Sequence, residues 1–219
     1  MLKIILWSVG GLIALCVAGA VAYAAYVELT TKEPPFTVVK RDGDFEIRDY
    51  PALVVATVDA AGARRDAAND GFRVIARYIF GANRATTEIA MTAPVLQQPA
   101  EGVSIAMTAP VLQQGTGPRG DDWRISFVMP EEWTLDALPA PVDAVVELEQ
   151  VPARRLAVIR FSGVADDSRI AEMSAALQAW LDREGAAPLG APTYAYYNAP
   201  WIPGFLRRNE VMVEIAPQR

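Results

Sequence analysis

The chain has 219 residues, 52% of them hydrophobic, and a formal net charge of -6, so it can bury a real core but offers no basic face for a long run of phosphates. It holds no histidine and a single cysteine, Cys16, which excludes Ser-His-Asp and Cys-His catalysis, HExxH and mixed Cys/His zinc sites, histidine-ligated heme iron and any intramolecular disulfide. With no P-loop or CxxC pattern and no catalytic set, the chain is expected not to be an enzyme.

Residues 4–27 carry no charge and are dominated by Leu, Ile, Val and Ala, with Trp7 near one end and Tyr23 and Tyr26 near the other. About 20 apolar residues cross a bilayer as a helix, and aromatic side chains gather where a helix leaves the hydrocarbon. Residues 1–28 therefore read as one transmembrane anchor or uncleaved signal. A cleaved signal peptide is the rival, with Ala18, Ala20, Ala22 and Ala24 as small residues for processing. Lys3 before the run and Glu28 and Glu33 after it favour a single pass through the inner membrane, with the domain facing the periplasm or cell exterior. A polar, proline-containing tether at 29–35 leads into a domain over 36–216.

Residues 45–50 alternate, turn at Pro51 and Ala52, and continue as a valine-rich strand. Phe72, Ile75, Ala76 and Ile79 fall at helical spacing within 67–80, and Gly81 and Asn83 stop the helix. Arg73 and Arg77 lie one turn apart on a neighbouring face, either solvated or set to capture a carboxylate ligand. The run IAMTAPVLQQ then occurs twice, at 89–98 and 105–114. Alternation before Pro94 and Pro110 predicts two strands forming a hairpin or sheet rim; the functional alternative makes them Met/Thr/Pro lips of a pocket. A strand at 123–128 closes a first half of about 36–130, and 131–141 is a linker.

The second half, about 142–216, repeats the first: strands near 145–149 and 156–161 around Pro152, a helix at 168–184 with Ile170, Met173, Leu177, Trp180 and Leu181 on one face, and strands at 194–197 and 211–215. Glu46, Pro51, Ala52, Ala56 and Gly62 recur as Glu147, Pro152, Ala153, Ala157 and Gly163, all displaced by 101 positions. The fold class is α+β: duplicated ββαββ halves forming a pseudo-symmetric, barrel-like antiparallel sheet with two flanking helices, after the transmembrane helix. In the late loop, Trp201 and Phe205 either cap the open end of the sheet or offer a flat apolar ligand a stacking surface, with Arg207 and Arg208 meeting its acidic groups.

The Tyr78-Ile79-Phe80-Gly81-Ala82-Asn83 run, the IAMTAPV runs, Phe127-Val128-Met129-Pro130, Phe161-Ser162-Gly163, Asn198-Ala199-Pro200-Trp201 and Phe205-Leu206-Arg207-Arg208-Asn209-Glu210 together resemble the SOUL heme-binding protein family. The resemblance implies the duplicated fold and a tetrapyrrole site along the first helix and adjoining strands, near Arg73, Arg77 and Met91. Met107, Tyr197, Trp201 and Arg207 complete the expected cofactor-binding set. With no histidine, any iron ligand falls to methionine or tyrosine: Met91, Met107, Met129, Tyr50, Tyr78, Tyr194 or Tyr197. The function so implied is membrane-tethered, non-covalent binding of heme or another planar tetrapyrrole in an apolar groove, with no nucleic acid partner. The alternative is a protein-interaction or lipid-binding module on the same fold with heme binding lost.

Overall fold

Alternation, proline turns and valine-rich runs produce strands where they are expected, and the two halves meet in one sheet. The computed structural model describes residues 19, 32–84, 102–116, 121–199 and 201–216. The first half holds β1 (Thr37–Asp42), β2 (Phe45–Tyr50), β3 (Leu53–Ala61), α1 (Arg64–Ile79), β4 (Asn83–Arg84), β5 (Val111–Gly115) and β6 (Asp122–Val128). After β7 (Ala140–Pro141) come β8 (Glu147–Val151), β9 (Arg154–Ser162), α2 (Asp167–Glu184), β10 (Thr193–Tyr196), a 3-10 turn at Gly204–Leu206 and β11 (Arg208–Glu214). The predicted transmembrane segment, Met91 and the first IAMTAPVLQQ copy lie outside the described residues, and among the described residues no helix is long and apolar enough to cross a membrane.

Among the described residues, nine strands form one antiparallel sheet in the order β1-β2-β9-β11-β10-β5-β6-β3-β8, while β4 pairs separately with β7. The expected barrel is corrected by this order: β1 and β8 are the two ends, and they do not pair. Both ends carry charge, with Lys40, Arg41 and Asp42 on β1 and Glu147 and Glu149 on β8, which blunts a sheet edge against further pairing. The halves join along β5 and β10, and each half lends its opening strand to the other, β2 to β9 and β8 to β3.

The duplication is visible in the fold. β3 and β9 have the same 101-residue displacement at both ends, and Gly62 and Gly163, which follow them, share a φ of 110° that favours glycine. Ala56 and Ala157 are both fully buried, each beneath its own helix.

Both helices lie on one face. α1 buries Ala67, Gly71, Ile75, Tyr78 and Ile79 against Ala56, Val58, Ile125 and Phe127. Gly71 is needed for that approach, since a Cβ there would stand 2.5 Å from Cγ1 of Ile125. α2 starts at Asp166, whose carboxylate accepts from the Arg169 amide at 2.8 Å, and ends at Gly185 in a left-handed conformation, φ 65°. Its predicted face, Ile170 through Leu181, packs on Ile47, Ala157, Ile159, Phe161 and Val211, and Trp180 stacks on Phe45 with centroids 5.2 Å apart.

The second IAMTAPVLQQ differs from its expectation. Its strand follows Pro110 instead of preceding it, because the ladder starts at Val111, the first residue after the proline with an amide to donate. Ahead of the proline, Ile105 is buried and its amide bonds the Ile79 carbonyl at 2.9 Å, while the Thr108 hydroxyl bonds the Val128 carbonyl.

Candidate functional site

Strand periodicity sends Glu46, Arg48 and Tyr50 of β2, and Arg208, Glu210 and Met212 of β11, to the face that the helices leave bare. There an apolar floor of Leu156, Val158, Ala195 and Met212 surrounds a buried ion cluster. The side chains of Arg48 and Glu210 are 2% and 0% exposed, and Arg48 grips Glu210 with two bonds, Nη1 at 2.9 Å and Nη2 at 3.0 Å. Arg208 donates to Glu210 at 2.9 and 3.1 Å, the Tyr197 hydroxyl donates at 2.7 Å, and Arg48 also reaches Glu46 at 2.6 Å. Burial alone pushes the Glu210 carboxyl up, but the bonds and charge of Arg48, joined by Arg208 and Tyr197, hold it below its usual range. Burial and the Glu210 charge push the Tyr197 phenol well up.

The chain's entry into the domain covers this face. Glu33 pairs with Arg208 at 2.7 Å, and the Phe36 ring lies 4.4 Å from the Arg48 guanidinium carbon and 5.3 Å from the Tyr50 ring. Beside it, Pro34, Tyr50, Leu112, Leu156 and Met212 line a depression that encloses about 20 Å³, room for a single water and far too little for a macrocycle.

A more open surface surrounds the C-terminal end of α1. Phe80 is 62% exposed, Val103 36% and Met107 39%. Two ties hold these segments together: the Ile105 amide on Ile79, and the Asn83 side chain, which takes the Val103 amide at 2.9 Å and gives to its carbonyl at 2.8 Å. Arg73 and Arg77 stand on the solvent side of the same helix, loosely paired with Asp70 at 3.5 Å and Asp143 at 3.7 Å. Ion pairs this exposed are worth at most about 1 kcal/mol, so an anionic ligand can replace them.

The expected site residues thus divide. Arg73 and Arg77 stand on α1, while Met107 is exposed just ahead of Thr108, which bonds Val128 and bridges to Lys32. Tyr197 lies on the opposite face of the sheet, bound to Glu210 beneath the Arg208 guanidinium. Arg207 gives its Nε–H to the Ile202 carbonyl at 2.6 Å. Trp201 is 72% exposed and Phe205 70%, so they do not cap the sheet as one reading held. Of the other iron-ligand candidates, Met129 is core, the Tyr78 hydroxyl bonds the Pro139 carbonyl at 3.0 Å, Tyr50 accepts from Arg48, and Tyr194 packs on the helix side against Trp123. Arg48 and Glu210 escaped the sequence reading; the signal was opposite charges at period two, Glu46/Arg48 in one strand and Arg208/Glu210 in another.

The family model for SOUL heme-binding protein matches residues 31–214, which is most of the chain. This chain belongs to the SOUL heme-binding family. Heme as cofactor accords with that membership. A search of curated proteins finds no match. Among solved structures, the C-terminal domain of EcmrR superposes with a TM-score of 0.57 at 12% identity, covering 80% of this chain and 98% of that one. A hydrolase from Listeria innocua gives a TM-score of 0.54 at 10% identity, covering 81% and 94%. EcmrR in its DNA complex gives 0.56 at 12% identity, covering 80% of this chain and 57% of that one. At these identities the likeness is one of fold.

The SOUL membership can be tested against the donor chemistry. Heme asks for an apolar surface for the ring and cations for its propionates. The end of α1 offers both, with exposed Phe80 and Val103 for a ring and Arg73 and Arg77 for the acids. The bare face of the sheet does not fit: its depression is too small and its charges already satisfy one another.

Proposed function

We propose that this SOUL-family chain is a membrane-tethered binder of heme or another tetrapyrrole, holding the ring at the C-terminal end of α1 without histidine ligation. The observation that carries the reading is that Phe80 and Val103 are exposed where Asn83 ties Val103 to the end of α1, the helix that also bears two weakly paired arginines. Ring burial on the apolar side chains supplies the affinity, and Arg73 and Arg77 exchange Asp70 and Asp143 for the propionates and so fix the ring's orientation. Heme, when bound, supplies its own redox chemistry; this chain's residues bind and orient it. The apolar run at 4–27 supports a single pass through the inner membrane, with the domain facing the periplasm or cell exterior.

Heme titration of the full chain in detergent micelles, followed at the Soret band, tests the site. Arg73→Ala and Arg77→Ala should each weaken binding by about fivefold, the scale of one exposed charge contact. Unchanged affinity in the double variant would place the ligand elsewhere, and absence of any Soret shift in the parent would favour the interaction-module alternative.

A further inference from the structure

The loop between β10 and β11 carries side chains that the proposed heme site does not use. Trp201 and Phe205 project into solvent at 72% and 70% exposure. Val164 is also exposed, and the loop leans on it: a Cβ on Gly204 would meet Cγ2 of Val164 at 3.0 Å, and the Gly163 amide bonds the Gly204 carbonyl at 3.1 Å. The loop is built and held, since the Ile202 amide bonds the Ala199 carbonyl at 3.0 Å, Arg207 ties to the Ile202 carbonyl at 2.6 Å, and the Asn198 side chain accepts from the Arg208 amide at 2.6 Å. A loop closed by its own hydrogen bonds that turns a tryptophan and a phenylalanine outward is a surface made for contact.

Where the chain enters the domain says what the contact is. Arg208 at the loop's end is joined to Glu33 at 2.7 Å, and Lys32 bridges to Thr108. Phe205 is three residues from Arg208, a span of at most about 10 Å, and Val27, the last residue of the apolar run, is six residues from Glu33, at most about 20 Å of chain. A helix anchored through residues 4–27 would therefore release the domain with this loop close to the bilayer surface. Tryptophan and phenylalanine are the side chains that partition into that interface, one end apolar and, for tryptophan, one end hydrogen-bonding.

We infer that the Trp201–Phe205 loop is a membrane-docking element that inserts its aromatic side chains into the interfacial layer beside the anchor, laying the domain on the bilayer. This rests on the tether reading above. The occupant is lipid, and the surface fixes the orientation in which the domain meets the membrane.

The two tryptophans that matter separate the inference from its premise. The full chain is reconstituted into phosphatidylcholine vesicles with and without brominated acyl chains. Emission is compared for the Trp7→Phe, Trp201→Phe and doubly substituted proteins, so that the Trp7 and Trp201 contributions are each obtained by difference from the same background. The expected result is that brominated lipid removes most of both contributions. Quenching of Trp7 with Trp201 untouched overturns the docking inference and leaves the tether standing. Loss of neither contribution refutes the tether and the docking with it. Trp201 emission that is blue-shifted yet indifferent to bromine overturns the inference in favour of a second copy or another protein on the loop.

Discussion

Glu210 is the residue on which the bare face of the sheet depends. It is fully buried and accepts from Arg48, Arg208 and Tyr197, so replacing it by glutamine removes the charge the two guanidinium groups share and leaves Arg48 only Glu46 and Arg208 only Glu33. Removing one partner of a buried pair costs about 3–5 kcal/mol, and Glu210→Gln should lower unfolding stability at neutral pH by that order. The pH dependence follows from the same contacts. The folded carboxyl lies below its ordinary value of 4.5, so its contribution is present above that pH and is lost as pH falls through the folded value. Denaturant unfolding of the parent should thus weaken on acidification below pH 4.5 and the variant should show a shallower decline; equal stabilities at neutral pH would contradict this account of the cluster. The sequence hid the cluster because FEIRDY looks like a strand with one wet face. Arg48 is dry because the chain's own entry, Glu33 to Phe36, returns across β2 and β11, and that is a long-range fact no local pattern carries.

At the scale of elements, the 101-residue displacement was legible because it repeats several residue types in order, and it fixes β3, β9 and the glycines after them to the residue. The doubled IAMTAPVLQQ was legible as a repeat but not as structure. A ten-residue identity gives no reason to prefer one copy for the slot between β6 and β10; the described chain uses the second. Gly102 explains the preference. A Cβ at Gly102 would stand 1.7 Å from the Gly81 carbonyl oxygen, and in the register where the first copy took the slot, Thr86 would occupy that place. Two deletions of equal length test this. Removing 86–101 keeps Gly102 ahead of the surviving copy, whereas removing 89–104 puts Thr86, Thr87 and Glu88 in place of Gly102, Val103 and Ser104. Thermal unfolding should find the first deletion more stable, by about 1–3 kcal/mol for an overpacked contact. A second deletion that melted as high as the first would show that Gly102 does not select the register.

For the whole molecule, composition excluded histidine chemistry, and periodicity yielded two ββαββ halves. Whether the sheet closes was not readable, because closure depends on how the outermost strands meet. β8 was expected as a strand and β1 was not; both stand at the ends of the sheet with charged side chains, and the sheet stays open with both helices on one side. The site by α1 was only half legible. Arg73 and Arg77 follow from helical spacing, while the position of Val103 at the end of α1 depends on the Asn83 and Ile105 bonds. The central claim is that this surface holds a tetrapyrrole by its ring and acid groups, with no histidine on the iron. Its most direct test is a paired titration of the full chain with heme and with metal-free protoporphyrin, each followed by tryptophan quenching and the Soret band. The account predicts dissociation constants within about threefold of each other, a difference under about 1 kcal/mol. Heme bound about a hundredfold more tightly than the metal-free ring, a gap of roughly 2.7 kcal/mol, would show that an iron ligand dominates and would contradict it.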